Sequence, residues 1–255
     1  MSERRTTLCL RAEALRGLDS QAARTDLETG VGVTLVPWPP LDPPPLAARF
    51  PEPRPGEDVV AVSRSLSPAL VLEAYRQGIF PWPVRQGLVP WASPEPRAIF
   101  PLTPSRSWPR TVRRAQKENF SVTFDQAFER VMHACGEREG QGTWITPDIL
   151  DSYAILHRLG WAHSVEVWAG EELAGGLYGI AMGTLFAGES MFHRASGASK
   201  VAFAATAQRM RERGFQLFDV QVLTPHLALL GCIEIPRAEY RARVREAVLR
   251  SARFD

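Results

Sequence analysis

Nine prolines fall between Pro37 and Pro55, among them Pro39-Pro40 and Pro43-Pro44-Pro45. A proline fixes its own φ and offers no amide donor, so this stretch enters neither a helix nor the interior of a sheet. Residues 1–57 therefore read as an N-terminal extension, either a spacer or an arm lying on the surface. The packed structure has to come from the chain after it. With 255 residues in all, that leaves enough for one large domain or two small ones with a real core.

Order is expected from Asp58. Val59 to Val62 has the character of a short strand. Ser67 is a good N-cap, Pro68 suits the first helical position, and Gly78 can close the helix. Within that helix Leu70, Val71, Ala74 and Tyr75 share one apolar face. A turn-rich aromatic segment follows, with Trp82 and Trp91 as core residues or as walls of a cleft, then a strand through Phe100. A helix is expected over 104–118. It carries Arg106, Arg110, Arg113, Arg114 and Lys117 against the single acid Glu118, mostly on one face. A formal net charge of only +2 means that any nucleic-acid partner has to be read from such local clusters. The cluster fits a solvated face or a contact for a phosphate backbone.

The remainder alternates. Strands are expected over 120–124, 164–168, 173–181, from Thr184, 215–222 and 232–235. Helices are expected over 126–135, from Pro147 after an N-cap at Thr146, over 199–213, after Thr224-Pro225, and from Arg237. The fold class is α+β. A meander of antiparallel strands, then a helix and a further strand, resembles the N-acetyltransferase-like arrangement of a mixed, mostly antiparallel sheet.

Several chemistries are excluded by pattern. Cys9, Cys135 and Cys232 are odd in number and far apart, which suits a reducing compartment and fits no disulfide framework or zinc site. The five histidines show no metal-ligand spacing. No metal is expected. Gly188-Glu-Ser-Met-Phe192 lacks the second glycine of a nucleophile elbow, and Walker and dinucleotide fingerprints are absent. No apolar run approaches the roughly 20 residues of a membrane helix, and the first residues lack a secretory core, so the cytoplasm is the expected compartment.

Two places put polar groups in apolar company. Glu189 stands between Gly188 and Ser190, with Phe186, Met191 and Phe192 around it. A carboxylate there either reaches solvent at a strand end or meets partners that offset its lost hydration. Asp219 and Gln221 interrupt the apolar run Phe218, Val220, Val222 and, two apart on a strand, face the same way. They form a structural hydrogen-bonded pair, or a positioned amide and carboxylate that accept hydrogen bonds from an attacking amine.

Eight motifs then stand in a telling order: Ala74-Tyr-Arg-Gln-Gly-Ile-Phe-Pro-Trp82, Ser93-Pro-Glu-Pro-Arg-Ala98, Gly142-Thr-Trp-Ile-Thr146, His163-Ser-Val-Glu-Val-Trp168, Gly175-Gly-Leu-Tyr-Gly179, Gly183 to Phe192, Ala198-Ser-Lys200 and Asp219-Val-Gln221. Over about residues 58–242 the chain resembles the leucyl/phenylalanyl-tRNA–protein transferases. The resemblance implies a small N-terminal α/β domain (58–103) and an acetyltransferase-like domain (104–255). The implied reaction moves an amino acid, leucine or phenylalanine, from aminoacyl-tRNA to the N-terminal amine of proteins starting with Arg or Lys, in the N-degron pathway. Aminoacyl-tRNA is a co-substrate, and no cofactor is implied.

By the same resemblance Gln221 and Asp219 are catalytic. Trp82, Trp144, Tyr153, Phe186, Glu189 and Ser190 bind the aminoacyl adenosine, and Leu177, Phe203, Thr206 and Phe218 form the side-chain pocket. Arg106, Arg110, Arg113, Arg114 and Lys117 meet tRNA phosphates. The chain departs from the family pattern at Ser63-Arg64-Ser65, where Gly-Gly-Asp is usual, and in the size or polarity of Phe203, Thr206 and Phe218. Those departures leave the donated amino acid open.

Overall fold

The computed structural model of the protein describes residues 50–64, 66–82, 88–103, 107–137 and 145–255. Most of the proline-rich extension, and with it Cys9, lies outside the described residues. Its last part is anchored: Phe50 is buried against Trp91, ring centroids 5.2 Å apart.

Local signals set the first elements. Strand β1 (Val59–Ser63) leads to helix α1 (Pro68–Arg76). Ser67 Oγ accepts from the Leu70 amide at 3.2 Å, Pro68 opens the helix, and Gly78 turns the chain at φ 74°. Leu70, Val71, Ala74 and Tyr75 are all buried, as their spacing predicts. The turn-rich segment contains two strands that the sequence reading did not separate, β2 (Phe80–Pro81) and β3 (Val89–Ala92). With β1 they make a three-stranded antiparallel sheet in the order β1-β3-β2.

Strand β4 (Arg97–Phe100) falls within the span 58–103 expected as the small unit, yet it is a strand of the larger sheet. Of the helix expected over 104–118, residues 104–106 lie outside the described residues, and within 107–118 only α2 (Arg110–Ala115) is helical. Pro109 occupies its N-cap and a turn begins at Gln116, so basic spacing outran the backbone's own stop signals. The chain continues through β5 (Ser121–Phe124), α3 (Phe128–Gly136), α4 (Pro147–Arg158), β6 (Ala162–Ala169), β7 (Glu172–Met182) and β8 (Leu185–His193). Helix α5 (Ala198–Glu212), β9 (Leu217–Gln221), α6 (Pro225–Leu230), β10 (Ile233–Ile235) and α7 (Arg237–Ala247) complete it.

The seven strands β10-β4-β9-β8-β7-β6-β5 form one sheet, antiparallel except where β8 and β9 run parallel. This matches the α+β class with a mixed, mostly antiparallel sheet. A parallel pair needs a crossover, and α5 supplies it. Helices α3 and α4 share a core with α1 and the small sheet, through Tyr178 and Ile180 of β7. Helices α2, α5 and α6 share the core that includes Leu177, Phe186, Phe203 and Phe218. No helix among the described residues is long and apolar enough to cross a membrane.

Candidate active site

Strands β8 and β9 pair only at Leu185–Leu217, Phe186–Phe218 and Ala187–Asp219, although both continue further. Each then carries a bulge. In β8, Tyr178 faces Ser190 and Gly179 faces Gly188, which leaves Glu189 as the extra residue. In β9, Ala98 faces Gln221 and Ile99 faces Asp219, which leaves Val220 extra. A bulge bends its strand and re-aims a side chain. Here the two bulges sit side by side, and between the separating strands Gln221 Nε2 donates to Glu189 Oε2 at 3.2 Å.

Helices complete the cluster. Tyr75 of α1 donates its hydroxyl to Glu189 Oε1 at 2.5 Å, and Tyr153 of α4 donates to the same oxygen at 2.6 Å. Gln221 Nε2 also reaches the Tyr75 oxygen at 3.2 Å. Both tyrosines are fully buried, whereas Glu189 is half-buried and lines a cavity of about 80 Å³. Burial pushes the Glu189 carboxyl up to about 7; its three hydrogen-bond donors work against that, and the Asp219 charge adds to it. Burial, and then the charge of Glu189, push both tyrosine hydroxyls well above their ordinary range.

Asp219 is turned away from this cluster. Its Oδ1 accepts from Arg97 Nε at 2.8 Å and from the Gln221 amide at 2.9 Å; its Oδ2 accepts from Arg97 Nη2 at 2.6 Å and Tyr240 Oη at 2.8 Å. Arg97, also fully buried, lies between the rings of Phe80 and Tyr240, 4.5 and 4.4 Å from their centroids. It donates to the Gly78 carbonyl that ends α1. The bond from the Gln221 amide holds that residue at φ 65°, a left-handed conformation unusual for a side chain of this size. Asp219 thus orients Gln221 through its backbone, and the strict alternation expected for the pair is broken at Gln221.

The cavity beside Glu189 is walled by Leu177, Met191, Phe203, Phe218 and Leu227. It is far below the roughly 300–1,000 Å³ of a whole-ligand pocket and suits one apolar side chain. Two roomier surface grooves, between α2, α5 and β5 and between α3 and α4, do not touch the cluster. Of the residues expected around the pocket, Leu177, Phe203 and Phe218 line it. Thr206 does not: fully buried, it donates to the Ala202 carbonyl at 2.8 Å.

Of those expected at the adenosine, Tyr153, Glu189 and Ser190 come together. Trp82, half-buried, packs 5.5 Å from Phe80. Phe186 is core, stacked on Phe254 at 4.7 Å. Trp144 and Arg106 lie outside the described residues. Arg110, Arg113, Arg114 and Lys117 are exposed on α2 and the turn after it. Among the described residues no three His, Cys, Asp or Glu side chains gather as a metal site.

Tyr75, Arg97 and Tyr240 were not picked out from sequence as site residues. The spacing of α1 puts Tyr75 on the buried face, and its hydroxyl there is the available signal, since a buried O–H needs a partner.

The sequence profile described as "Leucyl/phenylalanyl-tRNA protein transferase" matches residues 99–245, and that of the family's N-terminal domain matches residues 64–95. A protein of Anaeromyxobacter sp. (strain K) named leucyl/phenylalanyl-tRNA–protein transferase is 47% identical over 207 residues, covering 78% of this chain and 88% of its own. One of Herpetosiphon aurantiacus with the same name is 47% identical over 197 residues, covering 76% and 100%.

Proposed function

The chain belongs to the leucyl/phenylalanyl-tRNA–protein transferase family, and from that membership we propose that the wedge between β8 and β9 is where a charged tRNA end meets a protein N-terminus. The protein is an aminoacyltransferase that moves an amino acid from aminoacyl-tRNA to the α-amine of an acceptor protein. The observation that carries the placement is the convergence of Tyr75, Tyr153 and Gln221 on Glu189 at the mouth of an apolar cavity. Few places in a protein gather one carboxylate, three donors and an apolar pocket without use for them.

In this assignment the donated side chain, leucine or phenylalanine, enters the cavity walled by Leu177, Phe203 and Phe218. The terminal adenosine lies against Trp82 and Ser190, with Trp144 the further aromatic candidate and the buried Tyr153 acting through its bond to Glu189, because a single-stranded end is held well by aromatic faces and polar edges. Gln221 Oε1 accepts a hydrogen bond from the incoming amine, and Asp219 supports it by fixing the backbone. The ester is already activated, so bringing the two substrates together supplies much of the rate, and the reaction as proposed uses no cofactor. Arg110, Arg113, Arg114 and Lys117, with Arg106, meet tRNA phosphates. Acceptors beginning with Arg or Lys would make the product a substrate of N-degron degradation, in the cytoplasm where charged tRNA is found.

We also propose that the larger sheet is N-acetyltransferase-like. The support is its one parallel pair, β8 and β9, joined through α5 and separating beyond Asp219. The organisation would be a proline-rich extension to residue 57, a small N-terminal unit up to about residue 103 that lends β4 to its neighbour, and the transferase domain after it.

The test is transfer of labelled leucine and phenylalanine from charged tRNA to peptides that differ only in their first residue. Label is expected on Arg- and Lys-starting peptides, and ribonuclease abolishes it. No transfer from any charged tRNA to any N-terminus would sink the assignment.

A further inference from the structure

We propose that Glu189 is the proton acceptor of the transfer reaction, taking the proton that the acceptor's amine loses as it attacks the aminoacyl ester and passing it to the departing ribose oxygen. This rests on the aminoacyl-transfer assignment above and says which group does the acid–base work.

The argument runs by acceptor capacity. A carboxylate has about four places for a hydrogen bond. All four on Asp219 are filled, by two donors from Arg97 and one each from Tyr240 and the Gln221 amide. Asp219 is also fully buried and bound to a buried guanidinium, so no proton from a substrate can reach it. Gln221 carries an amide, which accepts a hydrogen bond but does not hold a proton near neutrality. Tyr75 and Tyr153 give their hydroxyl hydrogens to Glu189, and burial disfavours their ionisation.

Glu189 differs on each count. Its Oε1 takes both tyrosine donors, while Oε2 takes only Gln221 among the described residues and so has room for one hydrogen more. It sits on the bulge, half-buried, at the wall of the cavity that receives the donated side chain. Gln221 touches Glu189 Oε2 through Nε2 and offers Oε1 to the incoming amine, so one amide group joins the amine's place to the carboxylate.

The surroundings tune the carboxyl for this work. Facing it are Tyr75 of α1, Tyr153 of α4 with Tyr178 of β7 behind it, and Gln221 and Asp219 of β9, with Arg97 of β4 beyond Asp219. The cavity walls bring no charge. Burial dominates and holds the carboxyl at about 7, near where a general base works best.

The step balances. The amine arrives neutral, and its nitrogen bonds to the ester carbonyl carbon. One N–H proton passes to Glu189 Oε2, the ester C–O bond to ribose breaks, and that proton goes to the leaving oxygen. Nothing is oxidised or reduced, and Glu189 returns to its starting form.

The experiment is single-turnover transfer from charged tRNA to an Arg-starting peptide between about pH 6 and 9, with binding of a non-reactive aminoacyl-adenosine analogue measured alongside. Wild-type transfer should rise through an acid limb near the Glu189 value, and an acceptor with a less basic amine should not move it. Glu189→Gln should remove that limb and slow transfer by about 10²–10⁴-fold, with analogue affinity within a few-fold. Tyr153→Phe deletes a donor that lowers the Glu189 value, so its limb should move to higher pH.

A Glu189→Gln rate within tenfold of wild type would overturn the proposal. So would a loss matched by lost analogue binding with the limb intact, which would make Glu189 a binder only, or a limb that Tyr153→Phe leaves in place. Wild-type protein that transfers nothing from any charged tRNA would instead defeat the assignment on which the proposal rests.

Discussion

Arg97 and Asp219 are 122 residues apart in sequence and form a fully buried ion pair. Two charges without solvent are worth little net, but either one left alone is costly. Arg97→Met should therefore destabilise the protein by about 3–5 kcal/mol in urea unfolding. Adding Asp219→Leu should restore part of that loss, because the orphaned carboxylate is then gone. If the double variant is weaker than Arg97→Met, the pair does not dominate this site. Asp219 was legible from sequence as an acid in an apolar strand. Its cation was not, because Arg97 follows a proline-rich turn and nothing local marks it as buried. The same limit hid Tyr240, whose hydroxyl matters only once α7 lies against β9.

The elements read correctly are those whose ends carry their own chemistry. Ser67-Pro68, Thr146-Pro147 and Thr224-Pro225 each start a helix, and two of the three hydroxyls accept from the amide three residues on. Strand register carries no such local mark, so the bulges at Glu189 and Val220 stayed invisible, and with them the convergence of the site. Two glycines of β7–β8 separate structure from function. At Gly188 an added Cβ would meet Phe218 at 3.4 Å, an ordinary contact, and would extend the cavity wall. Gly188→Ala should fold normally yet disfavour the bulkier donor, lowering phenylalanine transfer relative to leucine by about tenfold. At Gly183, with φ 58°, the Cβ would lie 2.3 Å from the Ala247 carbonyl oxygen. Gly183→Ala should lower stability by about 2 kcal/mol or more without a donor preference. Thermal melts and paired transfer rates distinguish the two, and equal effects on both donors at Gly188 would place the cavity wall elsewhere.

Across the whole molecule the site exists only where the small sheet's helix meets the large sheet. Tyr75 comes from α1, while Glu189 and Gln221 come from β8 and β9, and the join is held from the far end of the chain. Arg237, at the start of α7, is buried and donates to the carbonyls of Arg54 at 2.8 Å, Glu57 at 2.9 Å and Ser93 at 2.6 Å. Its backbone amide meets the Glu95 carboxylate at 3.1 Å. Arg237→Ala would strip partners from three carbonyls, each costing about 1 kcal/mol or more where water cannot replace the donor. The other two cores of the large sheet contain no residue of 50–95, the segment this guanidinium holds. Hydrogen exchange should therefore rise over residues 50–82 and 88–95 and stay unchanged in α5 and β9, whose core residues lie in the other clusters. Because Tyr75 would be in place less often, the transfer rate at saturating charged tRNA should fall, and the acid limb should move toward higher pH as Glu189 loses a donor for part of the time. Exchange that rises equally in both sheets would mean that they open as one unit, and that Tyr75 is held by the larger core and not by the Arg237 clasp.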